Sequence, residues 1–293
     1  MNKLEVPNLD KTTLEIYDEC LNNYREKDKK IRLKKLKPKM ENAIKEYKEC
    51  VPHKIEKYSS PEVEEDENKL LLKVYSDKFS KKNTVGRKYY DKIMNNAGGI
   101  CPICGCSAPT QLDHYLPKSK YPLLVVESSN LVPICMACNY NKRTYMGEKF
   151  SEMLIHPYFE EINIKWLGLE IEFKQKEITD IVFNNILSEV MNPILKRRLD
   201  LFVKIYKPYE SYKALVVQEL GSIKYIHNMM LAESGADSLL RHLEDQMYSI
   251  EQNDINSWKA ALYRALIVQL LFVILYTPHT PNFKQIKRRY SIN

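Results

Sequence analysis

The chain has 293 residues, 44% of them hydrophobic and 28% charged, with a formal net charge of +7. That apolar content supports a sizeable core and excludes both a disordered chain and a small disulfide-stapled scaffold. With only 8 glycines there is little raw material for P-loops or dinucleotide turns, the composition reads as helix-rich, and the positive balance favours an acidic partner, nucleic acid first.

From Asn8 to about Leu36, the positions Leu14, Tyr17, Leu21, Tyr24 and Ile31 trace a helical stripe, with Asn8 and Asp10 as candidate caps. The stretch from Arg25 to Lys39 is strongly basic (Lys29, Lys30, Arg32, Lys34, Lys35, Lys37, Lys39). It reads either as a solvated helix face or as a nucleic-acid contact. Pro38 interrupts it, and a short helix is predicted from Glu41 to about Cys50. Ser59 to Asn68 reads as a linker, followed by helices over Lys69 to Phe79 and Gly86 to Asn95. Gly98, Gly99, Pro102, Gly105, Pro109 and Pro117 open a loop-rich segment from Ala97 to Pro133.

After Ile155 the alternation of Ile162, Ile164 and Trp166, then Ile171 and Phe173, predicts a hairpin around Leu167-Gly168. Helices are then predicted over Asp180 to Met191, Ile194 to Lys204, Tyr209 to Leu220, Ser238 to Glu251 and Ile255 to Leu275. The most apolar stretch, Ala260 to Tyr276, is interrupted by Arg264 and Gln269. It also falls short of the roughly 20 apolar residues that cross a bilayer, so it reads as a core helix. Met1 to Asp10 is polar and lacks the apolar region of a signal peptide. The expectation is a soluble, cytoplasmic protein with no membrane partner. The organisation expected is an N-terminal helical region with a basic stretch (1–85), a compact cysteine-rich module (86–160) and a C-terminal helical region (161–293).

Four of the seven cysteines form two C-x-x-C pairs, Cys101/Cys104 and Cys135/Cys138. Four thiolates in two such knuckles make a closed tetrahedral site, which identifies the expected ion as structural Zn²⁺. Cys106 reads as a spare thiol beside a complete set, and Cys20 and Cys50 are left over. The 30 residues from Gly105 to Ile134 separate the knuckles, against roughly 15 to 20 in a simple zinc ribbon. That extra length holds Asp113-His114 and Asn130.

The segments CPICG, LDHYLPKSKYP and NLVPICMACNYNK together resemble the HNH endonucleases, in particular the branch of the ββα-metal fold with a four-cysteine zinc site. The resemblance covers about Tyr89 to Phe159. It implies a strand over Gln111 to Tyr115 ending in Asp-His, a loop carrying Asn130, a second strand over Leu131 to Ile134, and a helix from about Met136 to Lys149. The family's last motif position falls on Asn139, or on Asn141 two residues further. The implied fold class is mainly α with an inserted zinc-stabilised ββα-metal module, α+β overall.

The resemblance implies metal-dependent hydrolysis of a phosphodiester bond, with DNA the preferred substrate and RNA the alternative. His114, neutral near pH 7, suits the general base. Asp113 and Asn139 suit oxygen ligation of a hard cation, Mg²⁺ or Mn²⁺. Asn130 is expected to fix the loop and orient the His114 ring. Lys142, with Arg143 and Lys118, is expected to contact phosphates. His156, in His156-Pro157-Tyr158-Phe159, is expected to pack. The helical flanks resemble, more loosely, the accessory regions of HNH proteins encoded beside ATPases in bacterial anti-phage systems such as Septu, which implies a protein partner docking there. The basic positions Lys284, Lys287, Arg288 and Arg289 are a further candidate nucleic-acid contact. The reading from a different class is a non-catalytic zinc-dependent adaptor for nucleic acid or protein.

Overall fold

A computed structural model describes residues 3–22, 24–174, 177–188 and 192–276. The basic positions Lys284 to Arg289 lie outside them. The chain divides into two compact units, the first formed by residues 1–161 and 193–207, the second by 162–192 and 208–293. The described part is mainly helical with two small antiparallel sheets, as an α+β chain should be.

The first unit opens with α1 (Thr13–Asn22), α2 (Lys27–Lys35) and α3 (Lys37–Cys50). The single helix expected over 8–36 is therefore two. Thr12 and Glu15 start α1 with a capping box: the Thr12 N–H donates to Glu15 Oε2 at 2.8 Å and the Glu15 N–H to Thr12 Oγ1 at 3.3 Å. Ile16, Tyr17, Cys20 and Leu21 form its buried face, whereas α2 buries only Leu33. Pro38 lies in the first turn of α3, where a missing N–H costs nothing, so it begins a helix rather than interrupting one. Met40, Ala43, Ile44 and Tyr47 are then buried at helical spacing. Next come α4 (Glu65–Val74), a π-helical turn over Tyr75–Phe79, and α5 (Arg87–Asn95).

Two short strands follow, β1 (Gln111–His114) and β2 (Leu131–Ile134), paired antiparallel with Asp113 opposite Val132 and His114 opposite Leu131. Helix α6 (Met136–Lys142) leaves β2 directly. It is half the expected length, because Arg143 takes a φ of 50° and turns the chain out of the helix. Helix α7 (Pro193–Tyr206) completes this unit. Its Arg198 is buried, donating to the Met153 and Leu154 carbonyls at 2.9 and 3.0 Å and pairing with Glu160 at 2.5 Å.

The second unit holds a hairpin, β3 (Leu167–Lys174) and β4 (Glu177–Asn185), with α8 (Pro208–Ser234), α9 (Ala236–Glu251) and α10 (Trp258–Tyr276). The helix expected over 180–191 begins as strand instead. Ile178, Thr179, Ile181 and Val182 are β-branched, and Ile181 and Phe183 bury one face at period two. The hairpin runs through Ile171 paired with Ile181 rather than turning at Leu167-Gly168. Buried Asn256 ties α10's approach to this sheet, accepting from the Trp166 N–H at 2.9 Å and donating to the Ile164 carbonyl at 2.9 Å. Among the described residues no helix is long and apolar enough to cross a membrane.

Candidate active site

The cysteine cluster is built at two tight turns. The Gly105 N–H closes the first on the Cys101 carbonyl at 2.8 Å, and Gly105 takes a φ of 66° that a side chain would strain. Cys135 forms the second, capping α6 as its Sγ accepts from the Cys138 N–H at 3.5 Å. These turns bring Cys101, Cys104, Cys135 and Cys138 together, all buried, with every sulfur within 4.8 Å of the others. Cys104 and Cys135 sulfurs are 3.8 Å apart. Tetrahedral coordination at a Zn–S distance of about 2.3 Å requires an S···S edge of about 3.8 Å, so the set fits a metal such as zinc. Hydrogen bonds from Cys101, Cys106 and Cys138 hold the Cys104 thiol far below its ordinary range. Cys106 stands outside the group of four, with its thiol donating to the Cys104 carbonyl at 3.2 Å.

The strand β1 places Asp113 and His114 at its end, and both line a cleft of about 430 Å³ together with Asn139, Lys118 and Arg143. The His114 ring is 5% exposed, packs edge-on against Tyr75 at 4.6 Å, and has Nε2 at 3.0 Å from the Val125 carbonyl. A carbonyl only accepts, so Nε2 carries the hydrogen and Nδ1 keeps its lone pair. Burial holds this imidazole down at about 3, so it is neutral near pH 7. Burial also pushes the Asp113 carboxyl up, opposed by the Lys142 ammonium.

Two expected contacts take a different form. Asn130 is fully buried, and its side-chain hydrogen bonds go to Leu116 rather than to the His114 ring. Its Oδ1 accepts from the Leu116 N–H at 2.8 Å and its Nδ2 donates to the Leu116 carbonyl at 3.2 Å, while its own carbonyl accepts from the Tyr115 N–H at 2.8 Å. It fixes the chain just after His114, and the ring itself is oriented by Val125. Lys142, expected to face a phosphate, is 2% exposed and pairs with Asp113 Oδ2 at 2.7 Å. Asn141 points elsewhere, donating to the Tyr206 carbonyl at 3.0 Å, so of the two asparagines only Asn139 lines the cleft.

His156 is buried away from the cleft. Its Nδ1 accepts from the Tyr158 N–H at 3.2 Å, so Nε2–H donates to Tyr47 Oη at 3.3 Å, and that hydroxyl donates to the Ser129 carbonyl at 3.2 Å. His156 thus braces the loop that carries Asn130. Tyr75 and Tyr90, which line the cleft, and the Val125 carbonyl, which meets the His114 ring, were not legible as site groups, since each comes from a segment whose sequence reads only as core. Tyr75 also carries the Lys118 ammonium over its ring at 4.5 Å, and burial lowers that ammonium from the usual lysine range.

No protein-family profile matches this chain, and no solved structure does. A 96-residue segment is 36% identical to protein ea31 of Escherichia phage lambda, covering 31% of this chain and 31% of that protein. A 157-residue segment is 29% identical to the Septu protein PtuB of Bacillus thuringiensis, covering 48% of this chain and 60% of PtuB. The chain therefore spans less than two thirds of the length of either relative.

Proposed function

We propose that this chain is a metal-dependent HNH endonuclease that hydrolyses phosphodiester bonds in DNA, acting as the nuclease of a bacterial anti-phage defence complex. The observation that carries the reading is the cleft itself: Asp113, His114 and Asn139 line it with two cations, next to the four-cysteine cluster. Similarity to the Septu protein PtuB supports the defence context.

His114 is the general base, with Nδ1 free to take a proton from the attacking water while Nε2–H stays on Val125. Asp113 and Asn139 offer a carboxylate and an amide oxygen, the donor types of a hard cation, and would hold Mg²⁺ or Mn²⁺. Such an ion, when bound, offsets charge on the scissile phosphate and the departing oxygen. Arg143 and Lys118 hold the phosphates at the cleft's edge. Cys135 and Cys138, with Cys101 and Cys104, would hold the zinc, which when bound would fix the β2–α6 corner and with it the position of Asn139. The helical flanks dock a protein partner such as an ATPase, and the complex is cytoplasmic.

Substrate competition tests the assignment. Labelled DNA and RNA of one sequence, offered together with Mn²⁺, should show the DNA cut faster. Faster cutting of the RNA reassigns the substrate to RNA.

A further inference from the structure

The wall of the candidate cleft has a second side. Tyr75 and Ser80 line the first cleft, whereas Lys78, Asn83 and Thr84, from the same short segment, line another of about 540 Å³. Its opposite wall carries Glu19, Tyr24 and Arg25.

The shared wall is held firmly. The Gly86 N–H donates to the Lys78 carbonyl at 3.2 Å, and Arg87 donates to the Ser80 carbonyl at 2.6 Å while lying over the Tyr90 ring at 4.3 Å. At Gly86 an added Cβ would stand 2.5 Å from the Lys78 carbonyl oxygen and 2.9 Å from Cys20 Sγ, so only glycine lets the wall seat against α1.

Charge decides what this second cleft takes. Its one carboxylate, Glu19, is already committed to Lys11, to Lys88 at 3.2 Å and to the Tyr89 hydroxyl at 3.0 Å. Lys78, on the other wall, lies over the Tyr24 ring at 5.2 Å. Arg25, Lys81 and Lys82 are exposed and have no acidic partner among the described residues. Lys81 and Lys82 follow Ser80, which lines the first cleft, and precede Asn83, which lines the second; Lys118 and Arg143 line the first. Cations together with the Asn83 amide and the Thr84 and Tyr24 hydroxyls are the groups that position a phosphate backbone without reading bases. Cations at both clefts and on the segment that joins them fit a polymer better than a mononucleotide.

We infer that the second cleft, together with the Lys81-Lys82 loop, holds the sugar-phosphate backbone of nucleic acid flanking the bond presented to His114. The inference rests on the proposed nuclease reading and extends it to the substrate's path.

The test is DNA binding by the full chain in EDTA, read by anisotropy of a fluorescein-labelled duplex long enough to reach both clefts. The variant is Arg25→Glu/Lys81→Glu/Lys82→Glu, with its fold checked by circular dichroism; all three positions are exposed, away from the core. The Kd should rise by at least about 10-fold, and the slope of log K against log salt should shrink by about 2 to 3. An unchanged Kd and salt slope overturns the inference, as does a wild-type chain that binds no DNA. Poly-glutamate serves as a competitor for the wild-type chain: displacement of DNA at equal charge concentration assigns the cleft to an acidic protein segment instead. Because EDTA removes cleavage from the readout, the two readings fail separately. A chain that binds through these residues but never cuts sinks the nuclease, and one that cuts while the variant binds normally sinks the second cleft.

Discussion

Lys142 Nζ lies 2.7 Å from Asp113 Oδ2 and 2.8 Å from the His114 carbonyl oxygen, so one ammonium ties the end of α6 to both site residues of β1. The pair is almost wholly removed from solvent, with side-chain exposures of 2% and 11%. The lysine therefore acts on the carboxylate, not on a phosphate.

Breaking such a pair on one side leaves a buried charge alone. Lys142→Met should cost about 3 to 5 kcal/mol of unfolding free energy by urea denaturation. The double variant Lys142→Met/Asp113→Asn should recover a large part of that loss. A Lys142→Met protein as stable as the parent would return Lys142 to the surface role its sequence position suggested.

The cysteine cluster makes a separate prediction. Cys135→Ser removes a sulfur of the group while leaving an oxygen able to cap α6. The variant should lose its zinc by elemental analysis and melt well below the parent, whereas Cys106→Ser should keep both. Zinc retained at full occupancy in Cys135→Ser would contradict a four-thiolate site.

On the proposed function, Asn139 serves the reaction and Asn141 serves packing. Asn139→Ala should leave the melting temperature nearly unchanged and weaken the dependence of cleavage on Mn²⁺ concentration. Asn141→Ala loses the bond to Tyr206, costing about 0.5 to 1.5 kcal/mol of stability with activity kept. The reverse pattern would exchange their roles.

His156 sets a pH dependence. Burial lowers its pKa from the usual 6.5 to about 3, and both ring nitrogens are already used by Tyr158 and Tyr47. Between those values the unfolded chain binds a proton that the folded one does not. The stabilisation is complete above the unfolded value and is lost as pH falls toward the folded one, by about 1.4 kcal/mol per pH unit. His156→Gln should therefore lose less stability than the parent between about pH 6 and about pH 4, read as denaturant midpoints. Equal losses in both proteins would place a charged or exposed imidazole at this position.

Much of the site could be read locally because its residues are close in sequence. The four-cysteine cluster follows from the spacing of its two C-x-x-C pairs, whereas the strands Gln111 to His114 and Leu131 to Ile134 and the helix after Cys135 were what the resemblance to the HNH endonucleases implied. What could not be read depends on distant packing. The Val125 carbonyl takes the role expected of Asn130 only because β1 and the loop after Pro122 lie together. Lys142 is buried with its ammonium on Asp113 and the His114 carbonyl, contacts that no spacing rule encodes. The strand at Glu177–Asn185 was missed for a similar reason: its apolar residues fit either period, and pairing with Leu167–Lys174 selects the strand.

The central claim is that His114 activates water in the cleft that it shares with Asp113 and Asn139. Plasmid cleavage by the purified full-length protein tests it, comparing Mn²⁺ with EDTA and the parent with His114→Ala. The account predicts nicking or linearisation that needs the divalent ion and falls at least about 100-fold in the variant, with zinc content unchanged. Full cleavage by a folded His114→Ala protein would contradict the assigned base, and no cleavage by the zinc-loaded parent, alone or with its partner, would make the chain a zinc-dependent adaptor.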